Sequence, residues 1–149
     1  MIKVKNLPHT VTDILDTPVK AKRPREASFW QAMKQAMKTH HPDWSATRLE
    51  SRATQGVPDA LILDSDGNWH LVELKTTQNN SVRISPHQVA FATKHAHGSC
   101  WIAVKHPAGV SLYRGDCVMD LRLDGLDSEP TALFPTPVDW AAFFKTLAT

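Results

Sequence analysis

From Glu26 to about Thr39 the apolar residues Phe29, Trp30, Met33, Ala36 and Met37 recur at helical spacing, with Lys34 and Lys38 on the other side. That pattern predicts an amphipathic helix, which His40, His41 and Pro42 should end. The preceding 25 residues have few periodic apolar positions and carry Pro8, Pro18 and Pro24, so they read as an extended arm. Residues 46–54 suggest a short strand leading into the turn Gly56-Val57-Pro58. Two strand-like runs, 60–64 (ALILD) and 69–75 (WHLVELK), follow around Ser65-Asp66-Gly67-Asn68, and a D-G step between such runs is a strong hairpin signal. Ser85-Pro86 is a favourable helix start, the serine as N-cap and the proline at the first helical position. The helix should run to about His97, closed by Gly98. Residues 100–105 (CWIAVK) and 110–114 (VSLYR) read as two more strands, turning through Pro107-Ala108-Gly109. Residues 115–137 are less regular, and an amphipathic helix with Trp140, Phe143, Phe144 and Leu147 spans about 138–147. This order predicts an α/β fold, a central mixed β-sheet flanked by helices, in one domain over 26–149 behind the arm of residues 1–25.

The hairpin has a consequence for its side chains. A three-residue loop, Ser65-Asp66-Gly67, with Gly67 left-handed, pairs Asp64 with Asn68 and, counting back, Asp59 with Glu73. Directly opposed residues share a face. A two-residue Asp66-Gly67 loop would instead oppose Asp59 to Leu74, on the wrong face. Along the second strand, Glu73 and Lys75 project from one face while Val72 and Leu74 project from the other into the core. Two carboxylates and a lysine should therefore meet.

Composition changes this picture little. The chain has 149 residues, enough for one core, with 42% hydrophobic and 21% charged residues, the balance of a globular domain. No apolar run reaches the ~20 residues of a membrane span, and the N-terminus lacks a signal-peptide core, so the expectation is a cytoplasmic protein. Cys100 and Cys117 form no CxxC pair and read as reduced core thiols. A net charge of +2 permits a nucleic-acid partner without demanding one. Positive charge does cluster at Lys20, Lys22, Arg23 and Arg25, as either a solvated linker or a phosphate-contacting arm. Asp116, Asp120, Asp124 and Asp127 form an acidic stretch, expected to face away from DNA.

Asp59, Glu73 and Lys75 suit phosphodiester cleavage, which needs a divalent cation to polarise the phosphate. Mg²⁺ takes oxygen ligands from a few carboxylates, and a lysine beside it orients a water or stabilises charge on the phosphate. Alone, Asp59 is a turn residue, and Glu73 with Lys75 is an exposed ion pair worth at most ~1 kcal/mol. Together at hairpin spacing they are costly without a cation, which reverses the odds. His95 and His97 do not share a helix face and have no matching ligand pair, which argues against structural zinc. Trp30, Trp101, Trp140, Phe143 and Phe144 read as core or dimer-contact residues.

The run GVPDALI…WHLVELK…ISPHQ resembles the PD-(D/E)XK nuclease superfamily, and is most similar to its small VRR-Nuc and Holliday-junction-resolvase-like branch, which includes phage endonucleases. The resemblance covers roughly residues 26–106. It implies a restriction-endonuclease-like core and a Mg²⁺- or Mn²⁺-dependent endodeoxyribonuclease acting on DNA, with branched DNA such as a Holliday junction or fork as the preferred substrate and duplex DNA as the other, in recombination, repair or defence. It implies that Asp59, Glu73 and the backbone carbonyl of Leu74 bind the metal, that Lys75 is the catalytic lysine, and that Gln88 stands beside the site. A further glutamate on the first helix is Glu26, with Glu50 its competitor. Arg48, Arg52, Arg83 and Lys94 are candidates to grip the DNA backbone, and the helix N-terminus at Ser85 to hold a phosphate. Two symmetric cuts imply a homodimer. The alternative is a catalytically silent nucleic-acid-binding module on the same fold.

Overall fold

The computed structural model describes residues 24–50 and 53–149. Helix α1 (Pro24–His40) has Glu26 in its first turn and Lys38 and His40 in its last, the charge distribution that complements the helix dipole. It begins two residues before the expected Glu26, taking Pro24 and Arg25 from the arm, and proline suits a first turn. Phe29, Trp30, Met33 and Met37 are its buried face. The rest of the arm, with Lys20, Lys22 and Arg23, lies outside the described residues.

Six strands form one sheet in the order β1-β2-β3-β4-β5-β6: β1 (Ser45–Arg48), β2 (Ala60–Leu63), β3 (Trp69–Thr76), β4 (Cys100–His106), β5 (Gly109–Arg114) and β6 (Ala132–Pro135). Neighbours are antiparallel except β3 and β4, which run parallel. Parallel neighbours need a crossover, and helix α2 (Pro86–Lys94) supplies it. Helix α3 (Val118–Asp124), between two 3-10 turns, and helix α4 (Trp140–Leu147) complete the order. The fold is α/β, a mixed sheet with helices on both faces.

Alternation along the strands divides the core in two. Ala60, Ile62, Val72, Leu74, Trp101, Ala103 and Leu112 face α1 and α4. Ile102, Val104, Cys100 and Tyr113 face the other way, toward α2 and α3. Glu73 and Lys75 share that second face. Phe143, Phe144 and Leu147 of α4 are fully buried against the sheet, and Trp140 packs on Phe143 and Phe144. Phe143, Phe144, Trp30 and Trp101 are core residues of this chain, while Trp140 is half-buried at the edge of the same cluster.

Other parts of the chain also differ from the sequence reading. β1 ends at Arg48 rather than extending to residue 54. α2 ends at Lys94, with His95 as its C-cap, three residues before His97. The stretch 115–137 is ordered, as α3, its flanking turns and β6. Its Asp116, Asp120, Asp124 and Asp127 are exposed, and α3 packs beside α2. Cys100 is buried and Cys117 half-buried, both free thiols; only the first belongs fully to the core. Among the described residues no helix is long and apolar enough to cross a membrane.

Candidate active site

The β2–β3 turn has the geometry needed to bring the carboxylates together. The Asp64 N–H donates to the Asn68 carbonyl at 3.0 Å, the Gly67 N–H donates to the Asp64 carbonyl at 3.2 Å, and Gly67 is left-handed at φ 83°. The loop therefore has three residues, and the ladder runs Leu63↔Trp69, Ile62↔His70, Leu61↔Leu71 and Ala60↔Val72. One step further, Asp59 faces Glu73. β2 has ended there, and the Asp59 side chain continues the pairing in its place: its Oδ2 accepts the Leu74 N–H at 3.0 Å. In a strand the N–H and C=O of one residue point to the same side. The Leu74 carbonyl is thus directed toward the side on which Asp59 lies.

A second hydrogen-bonded group meets this end of β3 from above. The Ser85 hydroxyl caps α2 by accepting the Gln88 N–H at 3.2 Å, and the Ser85 N–H donates to Gln88 Oε1 at 3.0 Å. This is a reciprocal capping box. The same Oε1 accepts from Lys75 Nζ at 3.0 Å, while Gln88 Nε2 donates to Glu73 Oε1 at 3.0 Å. The amide orientation is thereby fixed, because the opposite one would set donors against both Ser85 N–H and the Lys75 ammonium. Lys75 Nζ also lies 3.8 Å from Glu73 Oε1.

Asp59 and Glu73 are 4% and 7% exposed. Burying two neighbouring carboxylates is costly unless positive charge compensates, and oxygen donors are what a hard divalent cation takes. The Asp59 and Glu73 carboxylates with the Leu74 carbonyl thus fit such an ion chemically. Among the described residues no group of three or more His, Cys, Asp or Glu side chains is gathered for a metal. Glu26 is half-buried in the first turn of α1 and Glu50 is exposed beyond β1, so neither joins the two carboxylates as a third member. Burial, and secondarily the Glu73 charge, push the Cys100 thiol up to about 11, leaving it an inert neighbour.

The Gly56 turn holds these parts in register. Gly56 is buried at φ 86°, and a Cβ there would stand 2.2 Å from the His87 carbonyl oxygen. Only glycine lets the loop before Pro58 approach the first turn of α2 so closely. The enclosed space beside Glu73, Lys75 and Gln88 is only about 10 Å³, about one water molecule.

Of the proposed DNA contacts, Arg83 and Lys94 are exposed, Ser85 is the helix cap, and Arg48 is half-buried with its guanidinium 6.0 Å from the Trp30 ring. Arg52 lies outside the described residues. The sequence reading missed two features, the close approach at Gly56 and the second role of Gln88. The S-x-x-Q spacing of a capping box was the available signal for the latter.

A scan against protein-family models finds no match, and no curated protein matches. Among solved structures, the chain is similar to Hjc of Archaeoglobus fulgidus, a Holliday junction resolvase from an archaeal hyperthermophile. The identity is 14% and the TM-score 0.43, over 60% of this chain and 74% of that one. A score and identity this low carry no inference about activity.

Proposed function

We propose that this chain is a divalent-metal-dependent DNA endonuclease of the PD-(D/E)XK type, hydrolysing phosphodiester bonds with Mg²⁺ or Mn²⁺. The observation that carries the reading is the Gln88 amide, which joins Glu73 and Lys75 into one hydrogen-bonded unit on the strand whose Leu74 N–H is held by Asp59. A surface ion pair would not need a half-buried amide partner on a separate helix.

In this reading Asp59, Glu73 and the Leu74 carbonyl hold the cation. When bound, it polarises the phosphodiester and offsets the charge that develops during attack. Lys75 contributes from the other side. Its ammonium, fixed by Gln88 rather than free to swing, orients the attacking water and stabilises negative charge on the phosphate. Gln88 is a positioning residue, since it acts through Lys75 and Glu73. With only about 10 Å³ enclosed beside Glu73, Lys75 and Gln88, the site suits a polymer lying on the surface better than a small metabolite held in a cavity. Branched DNA, such as a four-way junction or fork, is the preferred substrate by resemblance in the motif. One chain carries one such site, so two symmetric cuts would use a homodimer.

The test is cleavage of labelled four-way-junction, forked and linear duplex DNA with Mg²⁺, Mn²⁺ or EDTA, wild type beside Lys75→Ala and Asp59→Asn. Metal-dependent cutting lost in both variants supports the reading. Tight binding of DNA with no cutting under any metal would replace it with a silent nucleic-acid-binding module.

A further inference from the structure

Two open clefts flank the C-terminal end of β3. The larger, about 720 Å³, is bordered by Arg25, Thr76, Gln78, Ser81 and Arg83. The other, about 500 Å³, is bordered by Arg25, Ser28, Thr76, Gln78, Lys105 and His106. Arg25, Thr76 and Gln78 line both, so the two form one trough across the ends of the parallel strands β3 and β4. It begins one residue beyond the candidate site along β3, at Thr76, and Arg83 lies two residues before Ser85, whose N–H meets Gln88.

The lining has a one-sided chemistry. Arg25, Arg83 and Lys105 are exposed cations, and between them stand hydroxyl and amide groups of Thr76, Thr77, Gln78, Asn79 and Ser81. No carboxylate is among the described residues of either cleft. His106 is wall rather than contact. Its Nδ1 accepts the Ala108 N–H at 3.3 Å and its Nε2 meets Ser111 Oγ at 2.9 Å, and burial lowers its pKa. Three permanent charges spaced among neutral hydrogen-bonding groups, with only Val82 and Pro107 as wholly apolar side chains in the lining, match a polyanion read along its backbone.

The trough is also preformed. Thr77 Oγ1 donates to the Ser81 carbonyl at 2.7 Å and the Ser81 N–H donates to Asn79 Oδ1 at 2.9 Å. Asn80 is clamped from outside, its Nδ2 donating to Asp127 Oδ2 at 3.0 Å and its carbonyl accepting the Leu126 N–H at 2.8 Å. Gly125, at φ 58°, passes so close that a Cβ would stand 2.0 Å from the Asn80 oxygen. The acidic segment after α3 thus braces the loop that forms one wall.

We propose that this trough is the track for the sugar–phosphate backbone of DNA running from the candidate site, with Arg83 the phosphate contact nearest the site and Arg25 and Lys105 the contacts farther along. The choice of DNA rests on the nuclease reading above; the placement rests on the clefts. Backbone contacts position DNA without reading its sequence, so the trough serves junction and duplex alike.

The test separates binding from cutting. Affinity of the full chain for labelled four-way-junction and linear duplex DNA is measured in EDTA over a range of salt concentrations, for wild type, Arg83→Ala, Lys105→Ala and Lys38→Ala. Lys38 is exposed in the last turn of α1 and serves as the control. Arg83→Ala and Lys105→Ala should each weaken both DNAs alike and lower the slope of log affinity against log salt by about 0.9, while Lys38→Ala leaves both unchanged. Wild-type affinity and slope in both trough variants, or losses equalled by Lys38→Ala, overturn the trough even if metal-dependent cutting is found. The expected losses without any cutting keep the trough and overturn the nuclease.

Discussion

Gln88 holds Lys75 by its side-chain oxygen at 3.0 Å, and that oxygen is the one that closes the capping box of α2. The helix start and the candidate catalytic lysine are therefore set by a single atom. A glutamate at position 88 would still accept from Ser85 and Lys75, so the cap of α2 should survive. It would lose the donor to Glu73 and bring a third carboxylate to the pair. Gln88→Glu is expected to keep the α2 cap, to lose about 1–3 kcal/mol of stability to the carboxylate facing Glu73, and to cleave DNA about 10–100-fold more slowly than that loss explains. Thermal unfolding beside steady-state cleavage checks both halves. Wild-type cutting by Gln88→Glu would reduce Gln88 to a helix cap.

Gly56 couples the loop that presents Asp59 to the helix that presents Gln88. Gly56→Ala meets a left-handed backbone and the His87 carbonyl at 2.2 Å together. Since backbone atoms occupy the space, no rotamer change relieves the clash. The expected loss is at least about 2 kcal/mol, with cleavage falling further than the unfolded fraction explains. Gly67→Ala is the comparison: its φ is also positive, but no atom lies within 4 Å of the added carbon. It should cost only the backbone term, about 1 kcal/mol, and leave the site in place. Denaturant unfolding of the two variants checks the difference.

The hairpin was legible because its signals agree. Asp66-Gly67, the flanking alternation and the spacing to Asp59 admit one register with the carboxylates on a common face, and that register is the one observed. Helix α3 was not legible for the opposite reason. In VMDLRLD, Met119, Leu121 and Leu123 alternate as in a strand, whereas Val118 and Leu121 are spaced as in a helix. The structure buries the second pair and leaves Met119 and Leu123 exposed. Seven residues are too few for either period to win from sequence. β6 ends in Pro135 and survives as a strand because it is at the sheet edge, where a missing N–H is tolerated. At the site, strand alternation indicated Glu73 and Lys75. The fit of Gly56 against His87 depends on how α2 packs on the sheet, which local pattern does not encode.

At the turn end of the hairpin, Asp64 and His70 form a buried pair whose protonation the surrounding hydrogen bonds assign. Trp101 Nε1 donates to Ser99 Oγ at 3.0 Å, and the same hydroxyl is hydrogen-bonded to His70 Nδ1. Because the ionised Asp64 carboxylate can only accept, His70 Nε2 carries a proton and donates it to Asp64 Oδ2 at 2.8 Å. This bond first, and then the Asn68 N–H, lower the Asp64 pKa from 3.8 to about 2, against the effect of burial. A depressed carboxylate stabilises the fold above its unfolded pKa and loses that contribution as pH falls through the folded one. Stability should therefore decline between about pH 4 and pH 2 in wild type, and this component should be missing from Asp64→Asn. Urea midpoints at intervals across that window check it; parallel curves for the two proteins would show that the pair is not coupled to folding.

The buried carboxylates themselves offer a test without DNA. A cation held by Asp59, Glu73 and the Leu74 carbonyl binds the folded chain alone, so it must raise stability by mass action, about 2.7 kcal/mol at one hundred times its dissociation constant. For a domain of this length that is a rise in Tm of roughly 5–10 °C. Asp59→Asn keeps an oxygen that can accept the Leu74 N–H and removes only the charge, so the variant should fold and its Tm should stay flat as Mg²⁺ or Mn²⁺ is added. Glu73→Gln should behave alike, while Lys75→Ala, which removes the nearby cation at 3.8 Å from Glu73 Oε1, should keep the metal response or enlarge it. EDTA should return wild type to its starting Tm. A wild-type Tm indifferent to either ion at millimolar concentration would mean that the two carboxylates are compensated by the chain's own donors and that the site holds no cation in the absence of DNA.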